Sequence, residues 1–408
     1  MKKLLLSLVL ALVVLAAFPA VAVADAPVNV VSSEATPQFP QAITFSLEAE
    51  SATPIEDIDL EYRVHRSSVL PVSCRVDVGF NPGTTVDVSW TWNMLETGGL
   101  PPGAEVEYRW LVRDADGRLT ETSPTSVQFN DTRYDWNSLS SGQITITWYE
   151  GDTSFAQQLL ASALDALQRL EADIGVSLEE PATIHVYASP SDLQSALVYP
   201  QEWTGGVAFY DYGIIAIGIP PGSLGWGSRA IAHELGHLVT RQAIFGPYGY
   251  LPTWLDEGLA MDAEPDLRSD LAVYLATAIA SDTLFSIRSI CSSFPSDTAQ
   301  ASLCYAESYS AVQFLLDSYG RSKLLELLGV FKDGSTCDDA LLAVYGFDLD
   351  GFNVLWRESL GLGPEPTPTP GGQGSSMPVL HIALIAIVGA LGVVFVLLLV
   401  NLLLRRTT

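Results

Sequence analysis

Two histidines and a glutamate fall within five residues in the stretch AIAHELGHLV (230–239), in a chain of 408 residues that holds five histidines. On a helix, residues four apart share a face, so His233 and His237 can address one metal ion. Glu234 lies about 100° round the helix from His233, placed to reach a water on that ion without ligating it. Ile231, Leu235, Leu238 and Val239 are apolar and no proline breaks the run, which suits a buried helix. Two imidazoles hold zinc poorly, because a catalytic ion takes a third protein ligand and keeps one position open. Glu257 lies twenty residues after His237, in TWLDEGLAMDAE (253–264), a second candidate helix headed by Thr253. The intervening FGPYGYLP carries the turn residues needed to reverse the chain between the two helices.

This pairing of HExxH with a glutamate on the next helix resembles the gluzincins, the thermolysin-like and aminopeptidase-like zinc metallopeptidases. The wording WLDEGLA resembles the exported peptidase MA-like members of that group. The resemblance implies His233, His237 and Glu257 as ligands of one zinc ion. It implies Glu234 as the general base that takes a proton from the attacking water and passes it to the leaving amine. YAESYSAVQFLLDSYG (305–320) resembles the aminopeptidase-side segment that opens on a catalytic tyrosine. Carried over, Tyr305 donates a hydrogen bond to the oxyanion, with Tyr309, one turn on, as its rival. The substrate is implied to lie extended along an edge strand above the zinc helix, about 207–217. Asp256 and Asp262 are possible acceptors for the second N–H of a ligand histidine, each read first as a surface carboxylate.

The sequence departs from the family pattern in two places. No Gly-x-Met-Glu-Asn segment stands upstream to bind a free amino group, so an aminopeptidase is not supported. No histidine follows His237 until His381, so the thermolysin-style oxyanion histidine is absent. His65 and His185 fall in strand patterns and read as ordinary structural residues.

The elements that must position these residues divide the chain. Between Val28 and about Asn130 the apolar residues alternate: Ile43, Phe45, Leu47; Ile58, Leu60, Tyr62, Val64; Val106, Tyr108, Trp110. Turn signals at Asn81-Pro82-Gly83 and Asp116-Gly117 separate these runs, which together predict an all-β sandwich resembling fibronectin III or immunoglobulin-like modules. Such a module implies a spacer or a binding surface. After Trp136 the pattern becomes mixed. Ile144, Ile146 and Trp148 mark a strand, Asp152 caps a helix carrying Phe155, Leu159, Ala163, Leu167, Leu170 and Ile174, and 182–188 is a second strand. Residues 205–218 read as a hairpin or edge strand, and the chain is mostly helical from Ser228. The expected fold is therefore multidomain: a β-sandwich (25–132), then an α+β thermolysin-like, gluzincin-type catalytic domain (133–360).

The ends carry addressing signals. Lys2 and Lys3, an apolar run and Ala22-Val23-Ala24 make residues 1–24 a signal peptide. Residues 361–378 run from a stiff Pro-Thr repeat into a flexible Gly/Ser half and read as a stalk. Residues 379–404 are apolar over a length that spans a bilayer, and Arg405 and Arg406 open a cytoplasmic tail (405–408). The expected protein is a type I single-pass membrane protein of the cell membrane, its catalytic domain extracytoplasmic.

Four of the 20 basic residues lie in those ends, which leaves 16 against 47 acidic residues, a net of −31, between Asp25 and Pro378. Such a surface repels phosphate backbones and argues against nucleic acid as a partner. The implied partner is a peptide or protein substrate. Four cysteines are too few for a disulfide-built scaffold, and a Cys291–Cys304 or a Cys291–Cys337 bridge is equally open. The reading is a membrane-anchored zinc metallopeptidase. Its alternative is a surface adhesin or binding module whose peptidase fold has lost activity, and an intact Glu234 argues against that.

Overall fold

The computed structural model describes residues 28–66, 73–200 and 205–363. The expected signal segment, the stalk from 364 onward, the span and the tail lie outside them. Among the described residues, no helix is long and apolar enough to cross a membrane.

The alternating N-terminal runs form seven antiparallel strands: β1 (Asn29–Gln38), β2 (Ala42–Val64), β3 (Ser73–Asp77), β4 (Gly83–Asn93), β5 (Ala104–Asp114), β6 (Leu119–Glu121) and β7 (Thr125–Phe129). β2 runs for 23 residues and belongs to two leaves. Its first half pairs with β1 and β4, its second with β3 and β5, and β5 carries β6 and β7. Register shifts between Glu50 and Asp57 mark the point where the strand changes leaf, as a bulge allows a strand to bend. The two leaves face each other through their alternate residues. Phe45 of the first meets Tyr62 and Tyr108 of the second, with ring centroids 6.2 and 5.0 Å apart.

A second sheet follows, built from β8 (Asn137–Ser141), β9 (Ile144–Trp148), β10 (Ala182–Tyr187), β11 (Gly206–Phe209) and β12 (Ile214–Gly218), in the order β11-β12-β10-β9-β8. The three inner strands are parallel and the two outer ones antiparallel to their neighbours. Parallel neighbours need a crossover, and α1 (Thr153–Arg169) supplies it between β9 and β10. Asp152 caps it as expected, accepting from Phe155 N at 2.8 Å. The helical pattern read through Ile174 finishes in a wider π turn, Leu170–Ile174, closed by Gly175.

Seven helices complete the domain: α2 (Leu224–Ala243), α3 (Thr253–Ala263), α4 (Ser269–Ser281), α5 (Thr298–Tyr319), α6 (Arg321–Lys332), α7 (Cys337–Tyr345) and α8 (Leu349–Ser359). α2, α3 and α5 bury their apolar faces with β9, β10 and β12 in one core that includes Ile146, Ile184, Ile217, Leu235, Trp254 and Leu315.

A second core fills the β module, and residues from the later part of the chain, on two strands of the second sheet and at the short helix Pro190–Ser195, take part in it. Tyr187, Leu193, Ala196 and Ala216 are buried there beside Trp110 and Phe129. Polar contacts border that junction: Tyr187 donates to Asp131 at 3.0 Å, and Arg133 reaches the Ser195 hydroxyl at 2.7 Å.

One expectation needs correction. The edge strand placed at about 207–217 is shorter, because β11 ends at Phe209. A single turn, Tyr210–Tyr212, reverses the chain through Gly213, whose φ of +63° suits glycine. Ile214–Gly218 is then an interior strand, buried throughout and paired on both sides.

Candidate metal centre

The two helices that carry the motif approach closely because small residues meet at their crossing. A Cβ on Gly236 would lie 2.6 Å from the Cα of Ala260, so any side chain there would force α2 and α3 apart. Gly258 does the same between α3 and α5, where a Cβ would meet the Ser308 carbonyl oxygen at 2.5 Å. These glycines let His233 and His237 of α2 meet Glu257 of α3.

The three predicted ligands converge. One donor atom from each of His233, His237 and Glu257 lies within 4.8 Å of the others. Glu257 Oε2 stands 3.4 Å from Nε2 of both imidazoles. These are not well-formed hydrogen bonds, and Glu257 Oε2 is buried without a partner. Tetrahedral zinc ligands about 2.0–2.1 Å from a common centre would stand about 3.3–3.4 Å apart. The spacing, the donor types and the orphaned carboxylate oxygen all fit a divalent cation of the zinc kind.

The outer nitrogens of both imidazoles face carboxylates. His233 Nδ1 lies 3.2 Å from Glu264 Oε1, and His237 Nδ1 lies 3.4 Å from Asp256 Oδ1. Each carboxylate is braced in turn by an arginine: Arg229 stands 3.5 Å from Glu264 and Arg241 stands 3.3 Å from Asp256. Partners of this kind fix the ring orientation of a ligand histidine. Asp256 is thus a buried partner of His237 rather than a surface carboxylate. Asp262 is buried too, but it accepts from Gln313 at 2.6 Å and does not face an imidazole. Glu264, just beyond the end of α3, takes that position and was not singled out in the sequence.

The electrostatics favour positive charge at the centre. Burial would raise the Glu257 carboxyl, but the facing His233 and His237 outweigh it and hold it at about 2. Burial would lower His233, yet Glu257 and Glu264 raise it to about 9, and His237 is raised in the same way by Asp256 and Glu257.

Glu234 points out of the ligand set. Its carboxyl is raised by burial, against the pull of His237 and His233. It rests against β11: a Cβ on Gly206 would lie 2.9 Å from its Oε1. Glu234 therefore sits between its own helix and the edge strand.

The aromatic neighbours separate the two candidate tyrosines. The Tyr305 ring centroid lies 6.2 Å from that of His233, and burial, then Glu257 and Glu234, push its hydroxyl above the ordinary value. Tyr309 is raised by burial and then by Asp262 and Asp266, away from the ligands. A third tyrosine flanks the centre unforeseen: Tyr210, in the turn after β11, has its ring 6.5 Å from His237 and the Arg241 guanidinium over its face at 5.4 Å.

A helix pair presenting two histidines and a glutamate, with a second glutamate between it and an edge strand, defines a zinc peptidase-like fold. Residues 162–361 match the family model of the Peptidase MA superfamily. The resemblance read from HELGH and WLDEGLA is borne out. No curated protein matches the chain. Among solved structures it is similar to an M1 zinc metallopeptidase from Deinococcus radiodurans, at 15% identity over 84% of this chain and 96% of that one, with a TM-score of 0.33. It is also similar to OgpA from Akkermansia muciniphila, at 14% identity over 26% of this chain, with a TM-score of 0.21. The chain spans 28% of the OgpA chain.

Proposed function

We propose that this chain is a zinc-dependent peptidase that hydrolyses peptide bonds in peptide or protein substrates. The observation that carries the reading is the convergence of His233, His237 and Glu257 beside a Glu234 that takes no part in the ligand set. A zinc ion held by those three residues supplies Lewis acidity, acidifying water and polarising the carbonyl.

The remaining work falls to the chain. A substrate strand added to the free edge of β11 brings its backbone past Glu234. Glu234 accepts the proton of the attacking water and delivers it to the leaving amine nitrogen. Its carboxyl, raised by burial, is a stronger base than an ordinary glutamate, which suits the first transfer. Tyr305 keeps its proton at neutral pH and donates to the developing oxyanion. Glu264 and Asp256 hold the imidazoles in the orientation that presents Nε2 to the centre.

Residues 1–24 and 379–404 are the proposed export signal and membrane anchor, which place the peptidase outside the cell membrane. The β module is the proposed fibronectin III-like companion of the catalytic domain. Carbonate extraction and protease treatment of intact cells test the topology, and a chain released by carbonate would contradict the anchor.

The activity is tested on purified protein by measuring bound zinc and digesting a diverse peptide pool, wild type beside Glu234→Gln. The expected outcome is one zinc per chain in both and a roughly 10²- to 10⁴-fold loss of cleavage in the variant. Zinc bound with no Glu234-dependent cleavage would favour the binding-module alternative.

A further inference from the structure

The cysteines left open by the sequence are separated by their surroundings. Cys291 follows the single turn Ile287–Ile290, and Cys337 is the first residue of α7. Arg288 fastens these two pieces together: its guanidinium bonds both oxygens of Asp338 at 2.9 Å and Asp350 at 2.9 Å. Beneath that clasp the Cys291 and Cys337 side chains are neighbours, and the Cys291 thiol donates to the Ile287 carbonyl at 3.3 Å. Both residues are half-buried, so a small reagent can reach them. Cys304 is buried within α5, and Cys74 lies exposed on β3 of the β module.

The sulfur pair adjoins the metal centre through α3. Thr253 N, at the start of that helix, donates to the Cys291 carbonyl at 3.0 Å. The indole of Trp254 lies beside both sulfurs, and its buried N–H has no well-formed acceptor. Thr253 and Trp254 are the first two residues of the helix that bears Glu257. Whatever fixes Cys291 to α7 therefore also fixes the position from which Glu257 is presented.

We propose that Cys291 and Cys337 form a thiol–disulfide site, closed by a low-molecular-weight disulfide, that braces the first turn of the Glu257 helix against α7. In the first step the Cys291 thiolate attacks one sulfur of the reagent, forming a mixed disulfide and releasing one thiolate. The Cys337 thiolate then attacks the Cys291 sulfur, forming the Cys291–Cys337 bond and releasing the second thiolate. The two protons lost by the protein thiols end on the two released thiolates, so one disulfide is reduced to two thiols as two protein thiols are oxidised. Cys291 is the first nucleophile: the Cys337 thiol, and then Arg288, hold it below the ordinary thiol value against the effect of burial. The site goes beyond the hydrolytic reading and does not depend on it.

The test uses the full-length chain equilibrated with oxidised glutathione, alkylated, and digested with trypsin without reductant. Cleavage after Arg288, Arg321, Lys332 and Arg357 leaves Cys291 and Cys304 on one peptide and Cys337 on another. Cys304→Ala is therefore carried alongside. The expected result is a 289–321 peptide joined to 333–357 in both, and a glutathione adduct on Cys291 in Cys337→Ser. The oxidised chain should melt several degrees above the reduced one and yield zinc to a chelator several-fold more slowly. The proposal is overturned if both thiols remain open to alkylation, if Cys304→Ala abolishes the link, or if the link forms with neither melting nor zinc release altered.

Discussion

Gly206 on the edge strand lies directly against Glu234 on the metal helix, so close that a single added methyl would stand 2.9 Å from the carboxylate oxygen. The absence of a side chain at one position thus sets where the Glu234 carboxylate can rest. Gly206→Ala should lower kcat by about 10- to 100-fold, since a small displacement of a catalytic group costs that much. Metal analysis should find zinc unchanged, and steady-state kinetics that retain the wild-type kcat would show that β11 does not position the base.

Glu264 and Asp262 make a paired comparison. Both are buried and only two residues apart, but one faces His233 and the other Gln313. Glu264→Ala should weaken zinc binding about 10- to 100-fold, and Asp262→Ala should leave it near wild type. Competition with a chromogenic chelator reads both, and equal effects would refute the assignment.

Tyr305→Phe should reduce kcat on the order of 10²-fold with zinc content and KM little changed, as loss of one oxyanion donor does. Tyr309→Phe should have little effect. Were Tyr210→Phe to show the larger kcat loss, the hydroxyl beside His237 would be the donor instead.

Glu307 supplies a pH dependence of stability. It is buried in α5, accepts from Phe285 N at 3.0 Å, and burial pushes its carboxyl to about 8, with Phe285 N and Arg357 opposing. The folded chain therefore keeps a proton that the unfolded chain gives up near the ordinary glutamate value. Its stabilising contribution is full below that value and is lost as pH rises to about 8. Glu307→Gln should abolish that part of the decline, on the order of a few kcal/mol, which denaturant titrations at pH 5 and pH 8 would detect.

The convergence of His233, His237 and Glu257 was legible because it follows helical spacing: the two histidines share a face, and Glu257 lies on a helix of its own. Glu264 obeys no such period. It lies past the end of α3 and reaches His233 through the fold of the chain, which no local pattern encodes. Gly206 and Gly236 were equally silent, since their importance lies in what a neighbouring element would strike. In the β module the alternation located the buried faces, and the runs at 43–47 and 58–64 lie on one strand that passes through Ser51-Ala52-Thr53-Pro54. The strand bends there without ending, with Pro54 O accepting from Ala115 N at 2.8 Å and Thr53 donating to Asp114 at 3.2 Å. The polar run Asn137–Ser141 gave no strand signal because it forms the outer strand of its sheet.

Tyr187, Leu193, Ala196 and Ala216 belong by sequence to the catalytic half and by burial to the β module. A boundary drawn at 132/133 is therefore a line on the chain and not a place to cut. Removing the first half would strip the lid from an oily surface on the back of the second sheet, and the orphaned remainder would be a candidate for aggregation before it was a candidate for catalysis. The β module is less a handle attached to an enzyme than half of the wall the enzyme is built against.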